Sequence, residues 1–321
     1  MSTSWQFLVL RAVVGLALVV APVWTWASTG DTVPHQHWTL AALLIVSLLA
    51  GVLLLATTVR AWRRPRETRG MLRAVGAVAG LLVLVALAGA SDWLRPFPAT
   101  DAARAALVSD DAVTVQEEND WYTFTPQDGP ATIGLVYSPG TRVDVRATTA
   151  VLRPLAEVGY LVVVLEEPLG IALTDLNQSG GAIDTFDSIE HGAVGGHSLG
   201  GVAAARFAEQ HPELLDGLLL HASYPLDDMS DAALAVTSIS GSEDGLSTPA
   251  KIAASRADLP LDTEYVEVAG AVHAFFADYG AQPGDGSPTV SRSEAQRQIV
   301  AASLELMDRL SGASRPEASE R

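Results

Sequence analysis

The chain has no cysteine, and Lys251 is the sole lysine among its twenty basic residues. Without cysteine there are no disulfides, no thiolate nucleophile and no cysteine-ligated metal, so any nucleophile must be an oxygen. Positive charge is scarce and unevenly placed: residues 1–95 carry a net +5 and residues 96–321 a net −22, for −17 overall. A domain this acidic repels nucleic acid and anionic lipid surfaces, which excludes nucleic acid as an expected partner. Acid excess with so little lysine suits a high-salt milieu, although a GC-rich genome also yields arginine in place of lysine.

Hydrophobicity, by contrast, is abundant: 49% of residues are apolar. The excess sits in three runs, about 5–27, 38–59 and 72–90, each near the ~20 residues needed to cross a bilayer. Residues 1–95 therefore read as a membrane anchor of three transmembrane helices, with the lipid bilayer as a partner. The first run also has features of a signal peptide, with Arg11 closing a basic region and Ala27–Ser28 near a cleavage site. The two further spans favour an anchor, in which Arg11 can snorkel to the headgroups.

Between the second and third runs, "RAWRRPRETRGMLR" (60–73) holds six Arg and one Glu, whereas "STGDTVPHQH" (28–37) holds Asp31 and no Lys or Arg. Positive loops stay cytoplasmic. The expected arrangement is a multi-pass protein of the cell membrane with its amino terminus inside and everything after residue 90 outside.

A Pro- and Ala-containing linker (96–111) leads to a domain at 112–310, and "SGASRPEASER" (311–321) reads as a disordered tail. Eight strands are predicted, at 112–117, 121–125, 133–137, 160–165, 192–196, 217–221, 235–240 and 263–268. The first two, joined at Glu118-Asn119-Asp120, form a hairpin pattern. From the third onward helical patterns intervene, at about 148–158, 182–190, 199–210, 248–254 and 291–310. Strand-helix-strand repetition implies a mostly parallel sheet with right-handed crossovers, and burial on both faces accounts for non-alternating runs such as "YLVVVL".

Within that pattern, "GAVGGHSLGG" (192–201) fits G-x-S-x-G at Gly196-His197-Ser198-Leu199-Gly200. The motif alone is weak, but it follows a short strand and opens an apolar helix, which is the context a nucleophile elbow requires. Gly196 and Gly200 allow a tight turn, and the serine adopts strained angles that lift its hydroxyl above the sheet.

A serine hydroxyl needs a base, and the base needs an orienting carboxylate. Of the seven histidines, His35 and His37 lie in the membrane loop, His191 precedes its strand, and His211 ends the helix after the elbow. His197 points away as the variable elbow residue, and His221 comes too early in chain order. His273 remains, after the last strand and at the carboxyl edge where open α/β sheets bind ligands. The carboxylate should follow the seventh strand, where Glu243 and Asp244 stand adjacent. The order Ser198, Asp244, His273 is that of α/β-hydrolases. Two backbone donors would hold the oxyanion: the N–H of Leu199 at the elbow helix, and one from "VYSPGTR", where Pro139 has none and Thr141 is favoured over Gly140.

Several stretches in order, "YSPGTRVD", "PLAEVGYLVVVLEEPLGIAL", "VGGHSLGG", "DGLLLHASYP", "SGSEDGL" and "VHAFFADYGAQPGDGSPTV", resemble the alpha/beta hydrolase family 5 group, related to dienelactone-hydrolase-like enzymes, over about residues 131–300. The resemblance implies an eight-stranded α/β-hydrolase fold and supports Asp244 as the acid. Dienelactone hydrolases use cysteine where this chain has Ser198, so their substrate does not carry over. The expectation is a membrane-anchored serine hydrolase, carboxylesterase-like, acting on a small-molecule or lipid-like acyl substrate. An acyltransferase using the same acyl-enzyme and a non-catalytic binding domain are the alternatives. No cofactor or metal is expected; Asp278 and Asp285 in "DYGAQPGDG" offer a calcium-loop reading, but two acids among glycines more often make a turn. The connection "ASYPLDDMSDAAL" (222–234) is too short for a helical lid, which implies an open site.

Overall fold

The computed structural model describes residues 5–64 and 71–312. Contacts divide the chain into two units, residues 1–96 and 97–321.

The first unit contains α1 (Trp5–Thr29), α2 (Trp38–Arg63) and α3 (Met71–Trp93). All three are long and apolar enough to cross a membrane, α3 over Val75–Trp93. Small residues let α1 and α2 approach closely: a Cβ on Gly51 would lie 2.9 Å from the Gly15 carbonyl oxygen. Such contacts are how helices associate in lipid, where burial of apolar surface gives no drive. Hydroxyls add polar ties, Ser47 to the Leu18 carbonyl at 3.2 Å and Thr25 to that of Ser91 at 2.8 Å. The Arg11 guanidinium donates to Thr57 at 2.9 Å and Thr58 at 3.2 Å on α2. Of the Arg-rich loop, residues 65–70 lie outside the described residues, as does the predicted tail from residue 313 onward.

The second unit is one eight-stranded sheet: β1 (Val113–Glu117), β2 (Trp121–Pro126), β3 (Ile133–Ser138), β4 (Leu161–Leu165), β5 (His191–His197), β6 (Gly217–His221), β7 (Ala235–Gly241) and β8 (Glu264–Val268), in the spatial order β1-β2-β4-β3-β5-β6-β7-β8. The β1–β2 hairpin is antiparallel, β2 pairs antiparallel with β4, and every later pair is parallel. The β4 sequence shows why its run does not alternate. Val162 and Val164 pack into the core layer on one face with α5 (Thr149–Glu157) and α9 (Arg292–Ser311). Leu161, Val163 and Leu165 pack into the layer on the other face with α7 (Leu199–Gln210).

Two segments differ from the sequence reading. The helix expected at 182–190 is instead α6 (Gln178–Ile183). Gly180 and Gly181 weaken its helical signal, while Asp184, Thr185, Asp187 and Ser188 are residue types whose short polar side chains compete with helix and favour turns; Thr185 donates to the Gly181 carbonyl at 2.8 Å. The segment 96–111, read as a linker, carries α4 (Asp101–Ala105) and packs on the sheet unit. Phe97 N–H donates to Arg142 O at 2.7 Å, Ala99 N–H to the buried Asp144 carboxylate at 3.1 Å, and Thr100 N–H to Asp278 O at 2.9 Å. The helix expected at 248–254 is α8 (Pro249–Ala254), and 222–234 contains no helix.

Candidate active site

Four loops follow the carboxyl ends of β3, β4, β5 and β6, and each contains one non-glycine residue with positive φ: Arg142 (63°), Leu169 (58°), Ser198 (56°) and Ala222 (46°). Left-handed backbone in such residues costs about 1–3 kcal/mol apiece and gathers at functional sites. Here the strain rings one edge of the sheet.

Ser198 sits between β5 and α7 at φ 56°, ψ −124°. Its N–H donates to His221 O at 3.0 Å, and its carbonyl accepts from Gly201 N–H at 3.1 Å and from the Ser223 hydroxyl at 2.6 Å. Glycine is required around it by contact rather than by torsion. A Cβ on Gly196 would lie 2.3 Å from the Gly200 carbonyl carbon, and one on Gly200 would lie 2.1 Å from Ser138 O. The elbow helix is thus pressed against the end of β3, which brings Leu199 near the turn carrying Thr141. Neither the Leu199 nor the Thr141 N–H has an acceptor among the described residues, and the Thr141 hydroxyl is buried without a partner.

Asp244 and His273 come together. Asp244 Oδ2 lies 2.8 Å from His273 Nδ1, while its Oδ1 accepts from Leu246 N–H at 2.7 Å and Ser247 N–H at 2.8 Å. Both side chains are wholly buried. Glu243 is exposed and its carboxylate meets only the neighbouring Ser242 hydroxyl, at 3.5 Å. The other imidazole nitrogen, His273 Nε2, is buried with no hydrogen-bond partner among the described residues. Ser198 reaches the same edge but is not hydrogen-bonded to it; bonds of this kind often tighten only when substrate is present.

Asp285, singled out in the sequence for calcium, has another occupation. Its Oδ1 accepts from the N–H groups of Gly245 (3.2 Å), His273 (3.1 Å) and Gly286 (2.7 Å), and its Oδ2 from Ala274 (2.9 Å). One carboxylate therefore pins the loop after β7 to the loop after β8, the two that carry Asp244 and His273. Asp278 instead faces Arg292, Oδ1 to Nε at 3.5 Å.

Three further histidines of the sheet unit have neighbours of their own. His221 is fully buried between the Tyr137 hydroxyl and the Ser303 hydroxyl, each at 2.9 Å, and burial pushes its pKa down to about 3. The His197 ring lies 4.5 Å from that of His273, and a Cβ on Gly140 would come 2.6 Å from its Nδ1. Burial, then the neighbouring His273 and His221, hold its pKa well below the usual histidine range. A neutral ring thus backs both the Gly140–Thr141 turn and His273. His191 lies at the opposite end of β5, 3.3 Å from Asp216.

Two buried acids close the edge at the end of β4. Burial pushes the Glu166 carboxyl up to about 8, helped by Glu117, Asp120 and Asp144 and opposed by Arg146. Burial likewise raises Glu167 to about 8, with the Ser138 hydroxyl opposing. The loop they begin supports the other side of the site, since Gly170 O accepts from Arg142 N–H at 2.8 Å.

A mostly parallel sheet in this strand order, with a strained serine after its fifth strand and a carboxylate-histidine pair after its seventh and eighth, defines a hydrolase-type α/β fold. The chain belongs to the alpha/beta hydrolase family, whose model matches residues 134–298. No curated protein matches it. Solved structures similar to it include a ferulic acid esterase from Streptomyces cinnamoneus, at 16% identity and TM-score 0.46, covering 61% of this chain and 72% of that one. Est1E from Butyrivibrio proteoclasticus aligns at 12% identity and TM-score 0.46, over 61% of this chain and 99% of its own. A thermostable esterase from Pseudomonas putida aligns at 15% and 0.48, over 65% and 87%.

Proposed function

We propose that the protein is a membrane-anchored serine hydrolase that cleaves an ester or related acyl bond through Ser198, His273 and Asp244. The observation that carries this reading is the His273 ring: Asp244 holds Nδ1 at 2.8 Å, and Nε2 is left buried and unpartnered. An imidazole so held has one tautomer and one free basic nitrogen.

In the first half-reaction the Ser198 hydroxyl oxygen attacks the acyl carbon and its proton passes to His273 Nε2. Negative charge on the former carbonyl oxygen is met by the N–H groups of Leu199, at the start of α7, and Thr141. The bond to the leaving alcohol breaks as the imidazolium returns the proton to the alcohol oxygen. Water then repeats the sequence on the acyl-enzyme, giving the acid and free Ser198. Asp244 holds the orientation of the imidazole throughout and stabilises the imidazolium.

A fluorophosphonate probe tests this reading directly. The wild-type chain is expected to be labelled on Ser198 and Ser198→Ala to remain unlabelled; a wild-type chain that does not react contradicts it. We infer from the arginine asymmetry of loops 60–73 and 28–37 that the hydrolase unit faces outward from the cell membrane. Protease added to intact spheroplasts should then cleave beyond residue 96, whereas cleavage only after lysis reverses the topology.

A further inference from the structure

Beside the elbow, a groove of about 410 Å³ runs along α7. Its floor is Val202, Ala205, Arg206 and Glu209, one face of the helix at i, i+3, i+4 and i+7. Its walls come from the loops after β4 and β6 and include Leu173 and Leu226. Among the described residues of the hydrolase unit, the large apolar side chains left exposed are Val108, Val158, Leu173, Leu226 and Leu261. Two of those five line this one groove, so its apolarity is concentrated there.

The groove begins at Val202, one helical turn beyond Ser198 on the helix that the elbow opens. Val202 N–H donates to Ser198 O at 3.3 Å, the Gly170 carbonyl of the β4 loop accepts from the N–H of Arg142 beside Thr141, and the Ser223 hydroxyl of the β6 loop donates to Ser198 O. No wall comes from the loops after β7 and β8, which carry Asp244 and His273. This asymmetry separates the two halves of an ester. The leaving group has to lie where His273 can protonate it, so the groove is left for the acyl side.

We propose that the substrate carries an unbranched apolar acyl chain, uncharged at its far end, which lies in the groove along α7. The inference rests on the serine-hydrolase reading above. Val202 to Glu209 spans about 10 Å of helix axis at about 1.5 Å per residue, more than an acetyl group fills. The volume is within the ~300–1,000 Å³ of pockets that bury small ligands. At the far end Arg206 is already paired with Asp227 and, at 3.2 Å, with Glu209. Two carboxylates against one guanidinium would repel a terminal carboxylate on the chain.

The test uses the full chain in nanodiscs, with fluorophosphonate labelling and a p-nitrophenyl ester series read on the same preparation. The expected kcat/KM rises from acetate to hexanoate by at least about tenfold, since each buried methylene is worth about fourfold. The adipate monoester, of similar length but ending in a carboxylate, should fall at least about tenfold below hexanoate, like a chain that loses two methylenes of burial. Leu173→Gln with Leu226→Gln should lower the hexanoate-to-acetate ratio about tenfold, and Leu261→Gln, outside the groove, should leave that ratio unchanged. A flat series, an adipate monoester equal to hexanoate, or a ratio unmoved by the double variant overturns the proposal while labelling persists, as does a labelled chain that turns over none of these esters. Loss of labelling in the wild-type chain instead overturns the hydrolase reading, and this inference with it.

Discussion

Asp285 grips His273 by its backbone rather than by its imidazole: the Asp285 carboxylate accepts the His273 N–H at 3.1 Å and the Gly245 N–H, next to Asp244, at 3.2 Å. The acid and base of the candidate site are therefore held in register by a third residue that touches neither functional group.

Asp285→Ala removes the acceptor for four N–H groups at once and should lower thermal stability by an amount equivalent to about 1–3 kcal/mol. It should also reduce kcat more than KM, because a base displaced by a fraction of an ångström binds substrate but transfers protons poorly. Steady-state kinetics and melting curves on the same preparation check this. An unchanged kcat would mean that the loops hold register without the clamp.

Ser198→Ala should abolish turnover and keep the fold. His273→Ala should behave alike, and the double variant should be little worse than either, because the residues act as a unit. Ser198→Gly should be equally inactive yet melt higher than Ser198→Ala, since φ 56°, ψ −124° is open to glycine and strained for alanine. Equal melting temperatures would remove the claim of stored strain.

For the acid, Asp244→Asn should lower kcat by roughly 10²- to 10⁴-fold, because an amide can favour the wrong imidazole tautomer while keeping the shape. Glu243→Gln, at an exposed side chain, should be nearly silent. Kinetics that came out reversed would transfer the role to Glu243.

Stability should depend on pH with opposite signs in two ranges. His221 titrates at about 3 when folded against an ordinary 6.5, so over that range the unfolded chain binds more protons and stability rises with pH. Glu166 and Glu167 keep their protons to about 8 against an ordinary 4.5, so their contribution, complete below 4.5, is lost as pH rises through 8. Above 6.5, where histidine no longer opposes them, the melting temperature should fall toward pH 8, and Glu167→Gln should flatten that slope. A slope equal to that of the wild type would show that Glu167 ionises normally in the folded chain.

The sequence by itself determined what depends on near neighbours. Strand periodicity, the glycine-framed elbow at Ser198 and the three apolar runs lie in short windows, the chain order of Ser198, Asp244 and His273 is read along the sequence itself, and each strand fell within about one residue of its predicted bounds. Asp244 could be preferred over Glu243 from "GSEDGL" and the following Gly245, but only the folded loop, which turns one carboxylate inward and leaves the other in solvent, separated their environments.

What only tertiary structure decided are the contacts between residues far apart in the chain. Asp285 binds a backbone group forty residues away, Arg11 finds hydroxyls on the next helix, and His197 packs against His273 from behind the elbow. The 96–111 segment reads as a linker because its partners, Asp144, Arg142 and Asp278, are far along the chain. A side chain's local pattern reports which element it joins. Its partner is fixed by how the strands are ordered and how closely the loops at their carboxyl ends converge, and neither quantity is written in any short window of sequence.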